Sequence, residues 1–237
     1  MGSDDLYHKR KAKKISEPAV KSIKRSKRVL IVCEGTKTEP SYFKNLRKHF
    51  RINKENFEIR CDCGSDPKSV VEHGNKLFKE EKKNKGFSFD KVYFVFDRDQ
   101  YHLEKNGCNY QDVLDKINHL NTKNKVKDVF VAINSVPCFE FWLLLHYTDQ
   151  APLYTHIEGH CSAGDCVKNR LKFFWPDYDK ADEKIFEHVL KIDNDNMQKA
   201  IKRSKIILNN AISVDDENPS TRMHELVEYL LNMRNKN

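Results

Sequence analysis

The chain has 237 residues, of which 38% are hydrophobic and 33% are charged. That length suits one domain, or a core domain with an appendage. The sequence contains no signal peptide and no long apolar stretch, which argues against secretion and against a membrane span. Seven scattered cysteines, an odd number, suit a reducing compartment better than a disulfide framework, so we expect a cytoplasmic protein.

The formal net charge is +8, and most of the basic excess lies ahead of the first hydrophobic run. Residues 1–27 lack hydrophobic periodicity, and we expect them to be a flexible basic leader. Such a segment can hold nucleic-acid phosphates by releasing counterions, although a solvated tail without a binding role is the alternative. The candidate phosphate contacts in this region are Lys24, Arg25, Lys27 and Arg28.

The first predicted strand spans residues 28–33 and runs directly into Glu34. A helix is predicted to follow, because Thr36 or Thr38 can cap it and apolar residues then recur at helical spacing. Glu39 falls in its first turn, where an acid is favoured by the helix dipole, and this role is sufficient to explain it. Lys37, in the loop after Glu34, could reach a substrate phosphate.

A second strand is predicted over residues 57–61, and a third, strongly apolar one over residues 92–96. The third strand ends in Asp97 and Asp99, whose side chains project to the same side of an extended chain. Two adjacent carboxylates repel each other unless a cation lies between them, and Mg²⁺ or Mn²⁺ is the usual partner. The competing interpretation is that Asp simply favours turns.

A fourth strand over residues 129–133 completes the predicted sheet. Four strands, each separated by a helix, predict an α/β protein with a three-layer, Rossmann-like, mainly parallel sheet. The next segment, residues 137–147, is apolar nearly all round and predicts a buried helix. Glu140 within it is anomalous, since a buried carboxylate needs a partner such as a metal shell or Arg98. His146 could be a general base, but a core histidine is the favoured interpretation.

From residue 152 to residue 176 the hydrophobic pattern loosens. Four potential zinc ligands fall here, namely His156, His160, Cys161 and Cys166. Their spacing matches no closed structural zinc site, so zinc binding stays an open hypothesis. Helices are predicted around residues 185–190, 200–211 and 219–233. We therefore expect residues 151–237 to form a helical extension packed on the core.

Several separated motifs resemble those of one protein family. They lie at residues 33–43, 96–99 and 135–147, with a further match at residues 218–221. Together they resemble the RloB-like family of bacterial TOPRIM proteins. The resemblance implies a TOPRIM-like, metal-binding core over residues 28–150 and a nuclease role in defence against phage. It also implies that Glu140 joins the site as a fourth acid and that Glu34 acts as an acid or base.

The predicted function is a nuclease that uses Mg²⁺ or Mn²⁺ to hydrolyse phosphodiester bonds of RNA or DNA. The candidate catalytic residues are Glu34, Asp97, Asp99 and Glu140, of which the first three are the metal ligands. The alternative is a non-catalytic module that binds nucleic acid or a nucleotide and acts through a partner ATPase. No feature of the sequence suggests a membrane partner, and none fixes the oligomeric state.

Overall fold

The computed structural model describes residues 26–64, 66–98, 110–156, 161–192 and 195–234. The candidate site residue Asp99 and the candidate phosphate contacts Lys24 and Arg25 lie outside these ranges, as does nearly all of the predicted leader. Within the described ranges, no helix combines the length and the apolar character that crossing a membrane requires.

A mainly parallel sheet forms the centre of the α/β fold. Its strands are β1 (Val29–Cys33), β2 (Phe57–Arg60), β3 (Lys91–Asp97), β4 (Phe130–Val136) and β5 (Ser220–Thr221). Their order across the sheet is β2-β1-β3-β4-β5, and the first four strands run parallel. The four predicted strands are confirmed.

The predicted strand count was wrong by one, because β5 pairs antiparallel with β4. In the sequence this strand is only two residues long, too short to show any alternation of polar and apolar residues. It belongs to the segment that was predicted to be purely helical. The C-terminal part of the chain therefore contributes to the sheet as well as packing on it.

Eight α-helices lie in the described ranges. Three connect the parallel strands, namely α1 (Thr38–His49), α2 (Pro67–Lys85) and α3 (Tyr110–Lys123). Five follow β4, namely α4 (Glu140–Leu144), α5 (Ala163–Phe174), α6 (Ile185–Leu190), α7 (Asn196–Ser213) and α8 (Met223–Arg234). The buried helix predicted over residues 137–147 is thus only five residues long, although its side chains are buried as expected.

Helix α5 was missed in the stretch where the hydrophobic pattern loosens. It begins with a capping box, in which Ser162 and Asp165 each accept a hydrogen bond from the other's backbone N–H. Its buried face is narrow, with Val167 and Leu171 as the main apolar residues. So few apolar positions give a weak periodic signal, whereas the capping box was available in the sequence.

The sheet separates two hydrophobic cores because successive side chains of a strand point to opposite faces. From β1, Val29 and Ile31 enter the core shared with α1, α4 and the C-terminal helices, whereas Leu30 and Val32 enter the core under α2 and α3. All five residues of β1 are completely buried. The result is a three-layer arrangement in which the carboxyl ends of β1, β3 and β4 meet at one edge.

Candidate functional site

Strands β1 and β3 are neighbours, and their parallel pairing brings Glu34 and Asp97 together at the carboxyl edge of the sheet. The backbone N–H of Glu34 donates to the carbonyl of Val95 (2.9 Å). In turn, the backbone N–H of Asp97 donates to Oε2 of Glu34 (3.1 Å). The Glu34 carboxylate is therefore held against the end of β3, as the two strand endings predict.

Glu39 also belongs to this cluster, although the sequence assigned it only a helix-end role. Its side chain is buried, with 6% of its surface exposed. The carboxylate lies against Gly35 and leaves no room there for a Cβ atom. Backbone N–H groups of Gly35 and of Glu39 itself donate to it. The first turn of α1 thus directs an acid into the site instead of towards solvent.

Glu140, at the start of α4, is 1% exposed and has two partners from a distant segment. The Tyr178 hydroxyl donates to Oε1 of Glu140 (3.1 Å), and the Lys180 ammonium lies 3.0 Å from the same oxygen. The hydroxyl of Thr38 donates to the backbone carbonyl of Lys180 (3.2 Å), which fixes this segment over α1. The basic partner of Glu140 is therefore Lys180. Arg98, the partner considered from the sequence, pairs with Glu217 instead.

Lys180 lowers the pKa of Asp97 and of Glu39 but does not cancel the effects that raise them. Burial, together with the charges of Glu39, Glu140 and Glu34, raises the pKa of Asp97 well above its ordinary value. Burial and the charge of Glu140 also raise the pKa of Glu39, against the effect of its backbone hydrogen bonds. Burial disfavours a charged Lys180, but Glu140 and Asp97 outweigh it and raise the pKa of the lysine. A cation would relieve the repulsion at Asp97.

The chemistry of this donor set suits a hard divalent cation, because carboxylate oxygens are the ligands that Mg²⁺ and Mn²⁺ prefer. Within the described ranges, however, no three His, Cys, Asp or Glu side chains are grouped closely enough to hold one ion. Asp99, the third predicted ligand, lies outside those ranges. The assignment of Glu34, Asp97 and Asp99 as metal ligands therefore stays a prediction, and so does the catalytic role of Glu140.

The predicted phosphate contacts fall into different environments. Lys37 is exposed in the loop before α1, and Lys27 is exposed with its ammonium 5.9 Å from the Tyr229 ring. Arg28, by contrast, pairs with Glu81 and lies over the Phe89 ring at 4.8 Å. Its guanidinium is therefore mostly engaged in holding the fold together. Binding of nucleic acid by any of these residues stays a prediction.

The four potential zinc ligands lie only partly within the residues that the structure describes. The thiols of Cys161 and Cys166 lie 2.7 Å apart, and the Cys166 thiol also faces the carbonyl of Thr155 at 3.8 Å. His156 does not join them to form a three-ligand group in the part of the chain that the structure describes. His160 lies outside that part.

His146 is a core histidine and not a member of the carboxylate cluster. It is 1% exposed, its Nδ1 lies 3.0 Å from the carbonyl of Trp142, and its ring packs edge-on against the Trp142 indole. Burial lowers its pKa to about 4, and the nearby Arg203 acts in the same direction. The imidazole is therefore neutral in the folded protein at pH 7.

We expect acidification to destabilise the fold through His146. Its folded-state pKa of about 4 lies below the ordinary value of 6.5, so between these two pH values the unfolded chain binds the additional proton. Stability should fall by about 3 kcal/mol from pH 6.5 to pH 4 on account of this group. Chemical denaturation of His146→Gln should show a weaker loss over that window. The control His119→Gln changes an exposed histidine and should lose stability as the wild type does. An equal loss of stability between pH 6.5 and pH 4 in all three proteins would contradict this account.

The sequence offered only weak signals for the three residues that complete the cluster. Tyr178 and Lys180 lie in an irregular segment far along the chain from Glu34, where no periodicity reveals orientation. For Glu39 a signal existed, because the glycine at position 35 suggests that a side chain or ligand approaches the backbone closely there.

Comparison with known families agrees with the motif resemblance. The family model described as RloB-like protein matches residues 29–230. No curated protein and no solved structure matches the chain. The family match extends from β1 into α8 and so includes both the sheet and the segment that carries Tyr178 and Lys180. The chain therefore belongs to the RloB-like family.

Proposed function

We propose that this protein is a nuclease that hydrolyses phosphodiester bonds of RNA or DNA with Mg²⁺ or Mn²⁺. The observation that supports this most is the meeting of Glu34, Glu39, Asp97 and Glu140 at one edge of the sheet. At Asp97, burial and the charges of the neighbouring acids outweigh the charge of Lys180. Such a site favours a divalent cation and, through it, a phosphate group.

We propose further that residues 28–150 form a TOPRIM-like core. A parallel sheet whose strands end in acids supports this, as does membership of the RloB-like family. A role as a toxic effector in anti-phage defence, in the cytoplasm and with a partner ATPase, follows only from what the family resemblance implies.

The proposed ligand roles follow from position at the strand ends, and the acid–base role of Glu34 follows from what the family resemblance implies. Glu34 and Asp97, with Asp99, hold the cation, and Glu34 also exchanges a proton with water or with the leaving oxygen. A bound cation would stabilise negative charge on the attacking and leaving oxygens of the phosphodiester. Lys180 places positive charge 3.0 Å from Glu140 and orients that buried carboxylate. Tyr178 fixes the same oxygen by a hydrogen bond.

Cleavage of end-labelled RNA and DNA, measured with Mg²⁺ or Mn²⁺ and with EDTA, tests the proposal. We expect metal-dependent cutting by the wild type and a loss of at least about 100-fold in Glu34→Gln. Glu80→Gln, an exposed acid on α2, is the matched control and should cut normally. Cutting that survives both EDTA and Glu34→Gln would contradict the proposed site.

One observation favours the alternative, a non-catalytic binding module that works through a partner. In the described ranges, no three acidic, histidine or cysteine side chains are close enough to hold one ion. A binding module would retain nucleic acid without cutting it under any metal condition. The absence of cutting by a protein that binds nucleic acid separates this module from the nuclease, since Glu34→Gln is expected to keep its binding in either case.

A further inference from the structure

A strongly basic cavity of about 920 Å³ lies at the edge of the sheet, away from the carboxylate cluster. It is formed by β2, by the short 3₁₀ helix Lys54–Asn56 before it, and by the C-terminal half of α1. Strand β2 is the edge strand on this side of the sheet. We call this surface the basic groove, and its four principal cations are Lys44, Arg47, Lys48 and Lys54.

The charges that line the basic groove are unbalanced. Seven of its residues are Lys or Arg, whereas two are acidic. Three of the basic residues already have acidic partners, since Arg28 and Lys85 pair with Glu81 and Arg60 pairs with Glu58. Among the described residues, the four principal cations have no ion-pair partner.

The spacing of these cations makes their repulsion worse. Lys44, Arg47 and Lys48 lie three and four residues apart, so they share one face of α1. Like charges at this spacing destabilise a helix, and Lys54 adds a fourth charge to the lining of the groove. An anionic ligand that contacts several of these four cations at once would relieve their mutual repulsion.

The groove also offers an aromatic surface. Phe87, at its rim, is 40% exposed, and the Arg28 guanidinium lies 5.9 Å from its ring centroid. Cations that follow a backbone, together with an aromatic ring at the rim of the groove, are typical of sites for single-stranded nucleic acid.

We propose that the basic groove binds a single strand of nucleic acid through its phosphodiester backbone and delivers that strand to the carboxylate cluster. This inference rests on the proposed function. Helix α1 joins the two surfaces, since its first turn carries Glu39 and its last turns carry Arg47 and Lys48. Twelve residues of helix span about 18 Å, a distance that a strand of a few nucleotides covers.

Binding of fluorescein-labelled single-stranded RNA and DNA, followed by anisotropy in EDTA over a series of salt concentrations, tests this proposal on the full chain. The groove variant is Lys44→Gln, Arg47→Gln and Lys48→Gln together. The matched control removes the same charge from exposed positions at the end of α3 and in the turn before β4, and consists of Lys123→Gln, Lys125→Gln and Lys127→Gln. We expect at least a tenfold loss of affinity in the groove variant alone, and a slope of log affinity against log salt that is lower by about 2.

The outcomes separate this inference from the proposed function. If the groove variant binds as well as the control, or if the wild type binds no single strand, the groove is not the binding surface. A duplex that binds more tightly than the strand, with the same loss in the groove variant, would also overturn the assignment to a single strand. If binding follows the prediction but no metal condition gives cleavage, the groove stands and the nuclease fails. If the groove variant binds and cleaves nucleic acid as the wild type does, the proposed nuclease stands and the groove is not its binding surface.

Discussion

Asp97→Asn is expected to make the protein more stable at pH 7 and to reduce metal-dependent cleavage by at least about 100-fold. In the metal-free protein, burial and three neighbouring acids disfavour the ionised form of Asp97. Asparagine has nearly the same shape but no charge, so it removes this unfavourable electrostatic energy from the folded state. We therefore expect the free energy of unfolding of Asp97→Asn, measured by chemical denaturation in EDTA, to exceed that of the wild type.

The pH dependence of this gain has a definite sign. Because the folded-state pKa of Asp97 is raised, the folded protein binds the proton more tightly, and the stability from this group is lost as the pH rises through that pKa. Asp97→Asn should therefore exceed the wild type by more at pH 8 than near pH 4, in thermal melts without metal. The exposed control Asp115→Asn on α3 should show no such trend. A variant that is less stable than the wild type across this range would contradict the account.

Lys180→Met is expected to destabilise the fold and to impair cleavage at least tenfold. It leaves Glu140, which is 1% exposed, without its positive partner, while the Tyr178 hydrogen bond stays in place. Breaking a fully buried ion pair costs about 3–5 kcal/mol. Because half of the Lys180 side chain is exposed and solvent screens its charge, we expect about 1–3 kcal/mol by chemical denaturation.

Two further variants make this prediction specific. Lys205→Met is the control, because it breaks a pair with Glu228 in which both side chains are exposed. The expected loss in the free energy of unfolding is below about 1 kcal/mol. Adding Glu140→Gln to Lys180→Met removes the unpaired charge and should restore most of the stability, though not the activity. If the double variant is no more stable than Lys180→Met, the charge of Glu140 is not the cause.

The part of the site that follows from strand endings could be predicted from the sequence. Glu34 and Asp97 come directly after apolar runs, and parallel neighbours must end at the same edge of a sheet. The sequence did not give the order of the strands, so the pairing of β1 with β3, which brings the two acids together, is a finding of the structure.

The remaining members of the cluster depend on tertiary packing that leaves little trace in the sequence. Whether the first turn of α1 points Glu39 inward depends on how that helix lies on the sheet, because a first-turn acid is equally stable in solvent. Tyr178 and Lys180 reach Glu140 from an irregular segment, held by a hydrogen bond from Thr38 that joins residues 142 positions apart. Strand β5 likewise exists only because β4 offers it an edge.

The central claim is that these carboxylates form a divalent-cation site, and calorimetric titration of Mn²⁺ into the purified protein tests it most directly. The account predicts a binding isotherm for the wild type that is lost in Glu34→Gln and in Asp97→Asn and is unchanged in Glu80→Gln. No binding by a folded wild type, or binding that both cluster variants retain, would contradict it.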